Sequence, residues 1–213
     1  MSGFPVILSA PSGGGKTTIA KALLARRADL GYSVSCTTRT PRPGEIDGRD
    51  YYFMTRAEFI AERERGAFAE SAVVHGNLYG TLRSEVERVM ADGKQVVMDI
   101  DVQGAAQFVR AFPQSVTIFI LPPSAEVLLD RLRARKTEST AQLAARLQSA
   151  LQELQQVDEY EYVVVNDDLE QAVARVGSIV DAEFVSRERV KNLRQQVGQL
   201  IERLEQEIEN TTP

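Results

Sequence analysis

Four short apolar runs, residues 6–8, 96–98, 116–121 and 162–165, stand out along the chain. Their length and uniform apolarity predict strands buried on both faces. Between them, apolar positions recur at helical spacing over residues 17–27, 84–91, 103–110, 124–133 and 141–157. Alternating strands and helices predict a parallel sheet with right-handed crossovers. Ligands of such sheets gather at the carboxyl ends of the strands.

Residues 32–79 break this rhythm. An extended run at 33–37 is followed by a turn cluster at 41–48 and a second extended run at 50–53. Thr55 and Glu58 then form a capping box for a helix over 56–65, with Met54 and Phe59 as its hydrophobic staple. Residues 68–74 read as another strand. The stretch is expected to be an inserted, mostly antiparallel lobe with one helix. A polar segment at 135–140, between two helices, reads as a lid. Asp168 and Gln171 form a further capping box, and helix is expected from there to about residue 209. Within it Leu193, Val197, Leu200 and Leu204 recur at spacings of 4, 3 and 4. That stripe spans about two heptads, short of the ~3–4 that define a coiled coil. It reads first as packing on the chain's own body and second as a subunit contact, giving a homo-oligomer through this helix.

The 213 residues are 43% hydrophobic and 26% charged, which fits one large domain or a core with inserted pieces. A formal net charge of −5 gives no general nucleic-acid surface, though local arginines can still hold a small anion. Cys36 is the only cysteine, which excludes an internal disulfide framework and a cysteine-rich zinc site. It has no histidine motif beside it and is not expected to be a nucleophile. The only histidine, His75, falls in an expected turn. No apolar run suits a signal peptide or a membrane span, so a cytoplasmic location is expected.

The chemistry begins directly after the first strand. Residues 10–18 read Ala-Pro-Ser-Gly-Gly-Gly-Lys-Thr-Thr. Gly13, Gly14 and Gly15 allow the backbone to curl so that its N–H groups converge on an anion. Lys16 reaches the outer phosphates of a nucleoside triphosphate, and Thr17 is placed to ligate Mg²⁺. Ala10, Pro11 and Ser12 complete the loop, with Ala10 where the usual pattern has glycine. The helix that follows adds partial positive charge toward the same phosphates.

A second cluster lies in the inserted lobe. Residues 35–45 read Ser-Cys-Thr-Thr-Arg-Thr-Pro-Arg-Pro-Gly-Glu and 48–53 read Gly-Arg-Asp-Tyr-Tyr-Phe. Glu70 follows, then Gly-Asn-Leu-Tyr-Gly-Thr at 76–81 and Asp-Ile-Asp-Val-Gln-Gly at 99–104. This order and spacing closely resembles guanylate kinase, from about residue 6 to residue 168, and the C-terminal helix resembles the bacterial form. The chemistry of the residues agrees. Arg39 and Arg42 offer planar forks for phosphate oxygens, flanked by the hydroxyls of Tyr51 and Tyr79.

The resemblance implies an α/β phosphate-loop kinase of three layers, transferring the γ-phosphoryl group of ATP to GMP, and to dGMP. It puts Glu70 against the guanine N1–H and amino group, with Ser35 and Thr81 on the remaining base edge. It places Asp99 and Asp101 in the region of the metal shell and the acceptor. Asp99 is assigned to Mg²⁺, directly or through water, and Asp101 to GMP, although the residues alone do not separate these roles. Arg131, Arg135 and Arg146 are expected to close over the phosphates. Lys136 stands where the family commonly has glycine. Asn166 matches a position near the donor adenine. Lys16, Arg39, Arg135 and Arg146 are the catalytic candidates. The implied division is a core of residues 1–32, 82–133 and 147–213, a GMP lobe at 33–81 and a lid at 134–146. Two rival readings remain: a scaffold that binds a phosphorylated protein through the same lobe, and a related sugar-phosphate kinase.

Overall fold

The computed structural model describes residues 3–74, 76–133 and 140–211. His75, Arg135 and Lys136 lie outside the described residues. The central element is β1 (Pro5–Ser9), fully buried along its length. It pairs in parallel with β7 (Gln95–Asp99) on one side and β8 (Val116–Leu121) on the other. β2 (Leu30–Tyr32) and β9 (Tyr162–Val165) are the edges, giving the all-parallel order β2-β7-β1-β8-β9. The order reverses around β1, and the loop at residues 10–15 leaves its carboxyl end there.

Alternate side chains of these strands enter two cores. Val6, Leu8, Val97 and Ile118 face α1 (Lys16–Arg26) and α7 (Leu169–Phe184). Ile7, Val96 and Met98 face α3 (Arg83–Ala91) and α4 (Val102–Ala111). The result is the expected three-layer arrangement. Two expectations change. Residues 162–165 are not buried on both faces, because β9 is an edge whose Val163 and Val165 are exposed. The edge strand β2 was not expected at all; three residues with a central glycine carry too little pattern to be read.

The inserted stretch forms a second sheet of order β4-β3-β6-β5, with β3 (Cys36–Thr37), β4 (Tyr52–Phe53), β5 (Phe68–Val74) and β6 (Asn77–Leu82). β3–β6 and β5–β6 are antiparallel, while β3–β4 is parallel. Its small core holds Cys36, Phe59, Phe68 and Leu78, with the Phe59 and Phe68 rings stacked 4.4 Å apart. The helix α2 (Arg56–Glu64) has the expected capping box: Thr55 Oγ accepts from the Glu58 N–H, and Glu58 accepts from the Thr55 N–H.

Two further helices, α5 (Ala125–Arg133) and α6 (Thr140–Leu154), pack on each other through Leu128, Leu132 and Ala150. The C-terminal segment is not one helix. It breaks after α7, passes a single 3₁₀ turn at Arg187–Arg189, and resumes as α8 (Leu193–Thr211) after Asn192, whose φ is +57°. A left-handed residue interrupts a helix, and asparagine is among the few that tolerate it. No residue of α8 is buried, so its stripe does not pack into the body as first read. No helix of the described residues is long and apolar enough to cross a membrane.

Candidate active site

The loop after β1 holds its shape largely through its own backbone. The Gly14 N–H donates to the Pro11 carbonyl at 2.7 Å, and Gly13 and Gly15 sit at φ of +84° and +96°. A Cβ on Gly15 would come within 2.5 Å of the Asn166 amide nitrogen, so the left-handed angle and the close approach both demand glycine. Gly15 is also the N-cap of α1 and offers no side-chain cap, and the first turn holds no acidic residue. The N–H groups of that turn therefore remain available to an anion. Ala10 and Pro11 are buried, so the departure at Ala10 is accommodated in the core.

Other elements fix the loop from outside. The Asn166 side chain donates to the Gly14 carbonyl at 2.9 Å, and Arg131 reaches the same oxygen at 3.5 Å. Both expected donor-side residues thus touch the loop itself. Glu153, on α6, accepts from the Ser12 N–H at 2.8 Å, and burial raises its carboxyl pKa. Glu153 was not anticipated, because nothing in a helix repeat marks which glutamate will face a loop.

Thr17 donates to one oxygen of Asp99, and the Tyr32 hydroxyl donates to the other at 2.9 Å. Burial, and then the Asp99 charge, push the Tyr32 phenol up, so it stays a donor. Tyr32 also escaped the sequence reading, since the short strand that carries it did. Among the described residues no group of three or more His, Cys, Asp or Glu could hold a metal. Thr17 and Asp99 nevertheless place two hard oxygen donors side by side. Such a pair suits Mg²⁺, which takes most of its other ligands from phosphate and water.

Across the cleft, Glu70 on β5 stands opposite Thr81 on β6. The Thr81 hydroxyl donates to Glu70 Oε1 at 2.7 Å, and only 6% of Glu70 is exposed. Thr81 is not the cap of the next helix, since Leu82 holds the N-cap position of α3. Burial, opposed by the Thr81 bond and helped by the nearby Asp101 charge, pushes the Glu70 carboxyl up to about 7. Asp101 caps α4 by accepting from the Gly104 N–H at 2.8 Å, and also lines the cleft.

The lobe arginines are held differently. Arg39 donates to Glu45 at 2.8 Å and to the Tyr79 hydroxyl at 3.3 Å, and its guanidinium lies 5.4 Å from the Tyr51 ring centre. Arg42 is exposed, with its backbone N–H donating to the same Glu45 at 2.7 Å. Glu45 ends the lobe motif at residues 35–45, where the sequence alone assigns it no role. Tyr52 turns into the lobe core while Tyr51 faces the cleft. Cys36 is buried and its thiol is pushed up to about 12, which leaves no thiolate for nucleophilic chemistry.

A cleft of about 890 Å³ joins these parts. Ser12, Lys16 and Asp99 line its core side; Ser35, Tyr51, Glu70 and Tyr79 line its lobe side. Arg146 on α6 is buried, lines the same cleft, and donates to the Leu132 carbonyl at 2.9 Å. Thr17 opens into a neighbouring space of about 430 Å³ that Tyr32, Tyr51 and Asp99 share. Arg39, Arg42, Thr81, Arg131 and Asn166 do not line either space.

A glycine loop at the reversal of a doubly wound sheet, facing an inserted mixed sheet across one cleft, defines a phosphate-loop α/β nucleotide kinase fold. Comparison with known proteins gives the family. A model of the guanylate kinase family matches residues 2–183. Guanylate kinase from Thermotoga maritima is 49% identical over 86% of this chain and 88% of its own. Its counterpart from Nitrosococcus oceani is 45% identical over 95% and 100%. The crystal structure of guanylate kinase from Anaplasma phagocytophilum superposes with a TM-score of 0.74 at 36% identity, covering 91% of this chain and 93% of the other. The chain belongs to the guanylate kinase family.

Proposed function

We propose that the chain is an ATP:GMP phosphotransferase that produces ADP and GDP. Family membership supports the activity, and one observation supports the substrate pair: a single cleft has Lys16 on one wall and Glu70 on the other. Residues 33–81 act as the acceptor lobe and 134–146 as the lid, the first six of which lie outside the described residues.

On the donor side, the loop from Ala10 to Gly15 and the α1 N-terminus cradle the phosphates, and Lys16 balances charge on the transferred group. Arg131 and Asn166 hold the loop in shape, and Arg146 joins the phosphates, together with Arg135. On the acceptor side, Glu70 accepts from guanine N1–H and the amino group, with Thr81 and Ser35 completing the base site. Asp101 supports that site from α4. Adenine would set an acceptor nitrogen against the same carboxylate, a mismatch that can discriminate by ~10⁴-fold or more. Arg39 and Arg42 take the acceptor phosphate, with Tyr51 and Tyr79 beside it. Arg39 must then exchange Glu45 for that phosphate. Thr17 and Asp99 would hold Mg²⁺, which when bound supplies charge neutralisation on the triphosphate. The acceptor phosphate is already ionised near neutral pH, so the residues need to position and neutralise rather than remove a proton.

dGMP is read as a second acceptor and the cytoplasm as the location. The exposed α8 is read as a surface through which copies of the chain associate. ADP formation from ATP and Mg²⁺, measured with GMP, dGMP, AMP, UMP, CMP or no acceptor, tests the activity. Dependence on the guanine acceptors is expected. Acceptor-independent hydrolysis would reduce the chain to an ATPase. A folded chain without turnover would favour the scaffold reading.

A further inference from the structure

The helix α8 lies beyond residue 183, where the family match ends. Leu193, Val197, Leu200, Ile201 and Leu204 fall on one side of it, with Ile208 one turn further on. Val197 is 44%, Leu200 65% and Leu204 63% exposed. A helix of 19 residues with none buried lacks the packing of its apolar face that supplies most helix stability in proteins. Its charges also run against its own dipole. Arg194 lies in the first turn, while Glu205, Glu207 and Glu209 lie toward the C-terminus.

We propose that α8 pairs antiparallel with α8 of a second copy, about a twofold axis between residues 200 and 201. This rests on the reading of α8 as an association surface and gives it an orientation and a register. The stripe is palindromic in spacing. Leu193 and Ile208, Val197 and Leu204, and Leu200 and Ile201 are each equidistant from that midpoint. A twofold axis there sets every apolar residue opposite an apolar residue of the partner, as an isologous contact requires. Arg194 and Glu205 flank the stripe on the same side. Antiparallel pairing puts each Arg194 within about 3 Å, along the helix axis, of the level of the partner's Glu205, twice by symmetry. The two dipoles then oppose, and each acidic end meets a basic one. Parallel pairing would stack acidic end on acidic end. The acidic C-terminal half also disfavours an anionic membrane as the occupant. A seam of about 22 Å is short, so a dimer in the micromolar range is expected.

The test uses the whole chain. Sedimentation equilibrium from micromolar to sub-millimolar concentration should show monomer and dimer. Arg194→Glu should weaken the dimer by roughly 5-fold, and adding Glu205→Arg should restore it. Cys36 is the only cysteine and is buried, which gives a clean background for cross-linking. Leu200→Cys should oxidise to a disulfide dimer, because position 200 lies beside the axis. Val197→Cys should not, since its two copies would stand about 10 Å apart along the seam. A monomer at every concentration overturns self-association altogether. A dimer that Val197→Cys links faster than Leu200→Cys overturns the antiparallel register and leaves association standing. Turnover of each variant with GMP is measured in parallel, so loss of the phosphotransfer reading would be seen separately.

Discussion

The glycine loop at residues 11–15 and the lobe between residues 33 and 81 meet across one cleft but keep their shapes by different means. The loop is a run of consecutive residues between a fully buried strand and a helix. Its donors are backbone groups, fixed by left-handed glycines and by the Asn166 amide on the Gly14 carbonyl. The lobe brings together Ser35, Arg39, Glu70 and Thr81 from separate stretches, and their meeting depends on strand register over a small core. Its main cation is already engaged by the chain's own Glu45. On the proposed roles, the loop is preformed apart from the Ser12 N–H, which Glu153 holds, while acceptor recognition requires Arg39 to exchange Glu45 for phosphate.

The largest expected effect breaks the donor side. Lys16→Ala should lower turnover by ~10³-fold or more, with circular dichroism unchanged, because charge on the transferred group loses its fixed counter-charge. Retained activity would remove Lys16 from the reaction. On the lobe side, Glu70→Gln should raise the KM for GMP by ~100-fold while changing that for ATP by less than ~3-fold. Equal effects on both substrates would count against a base contact.

The same substitution carries a pH signature. The native Glu70 pKa of about 7 exceeds the unfolded value of about 4.3. Between those values the native chain keeps a proton that the unfolded chain has released. Its contribution to stability is complete below about pH 4.3 and is lost as pH rises to about 7, by up to ~4 kcal/mol. Glu70→Gln should flatten this slope, so that the variant melts higher than the parent above pH 7. Identical melting profiles would show that burial does not perturb the group. Tyr32→Phe sharpens the comparison with the smallest effect. It leaves the Asp99 carboxylate one hydrogen bond short, and the Mg²⁺ concentration for half-maximal rate should rise by several-fold, roughly up to 10-fold. An unchanged requirement would make Tyr32 a bystander.

These two constructions also explain what the chain made legible. The parallel sheet, its helices and the glycine loop could be read because buried strands and backbone-binding loops write themselves in consecutive residues. The capping box at Thr55 and Glu58 was equally local. The lobe residues were read through resemblance, since neither composition nor periodicity marks Glu70 as the partner of Thr81. Tyr32 and Glu153 were missed because each acts from an element whose local pattern carries no sign of the site: a three-residue edge strand and an ordinary helix face. The break after residue 184 was missed for a related reason. Helical periodicity continues across it, and only a left-handed Asn192 marks the restart.

The strand β5 belongs to two cores at once. Phe68 packs in the lobe, while the next residue, Ala69, packs with α4 beneath the main sheet, across a register shift that ends at Glu70. A wall shared in this way is a natural axle. If the lobe swings, it turns about β5, so the Glu70 carboxylate stays with the frame while Arg39 and Arg42 sweep through an arc. The nucleotide would then be gripped at the base before the phosphate is enclosed. Guanosine, which has no phosphate, should accordingly occupy the site without drawing the lobe inward, an asymmetry that small-angle scattering with guanosine and with GMP would reveal or refute.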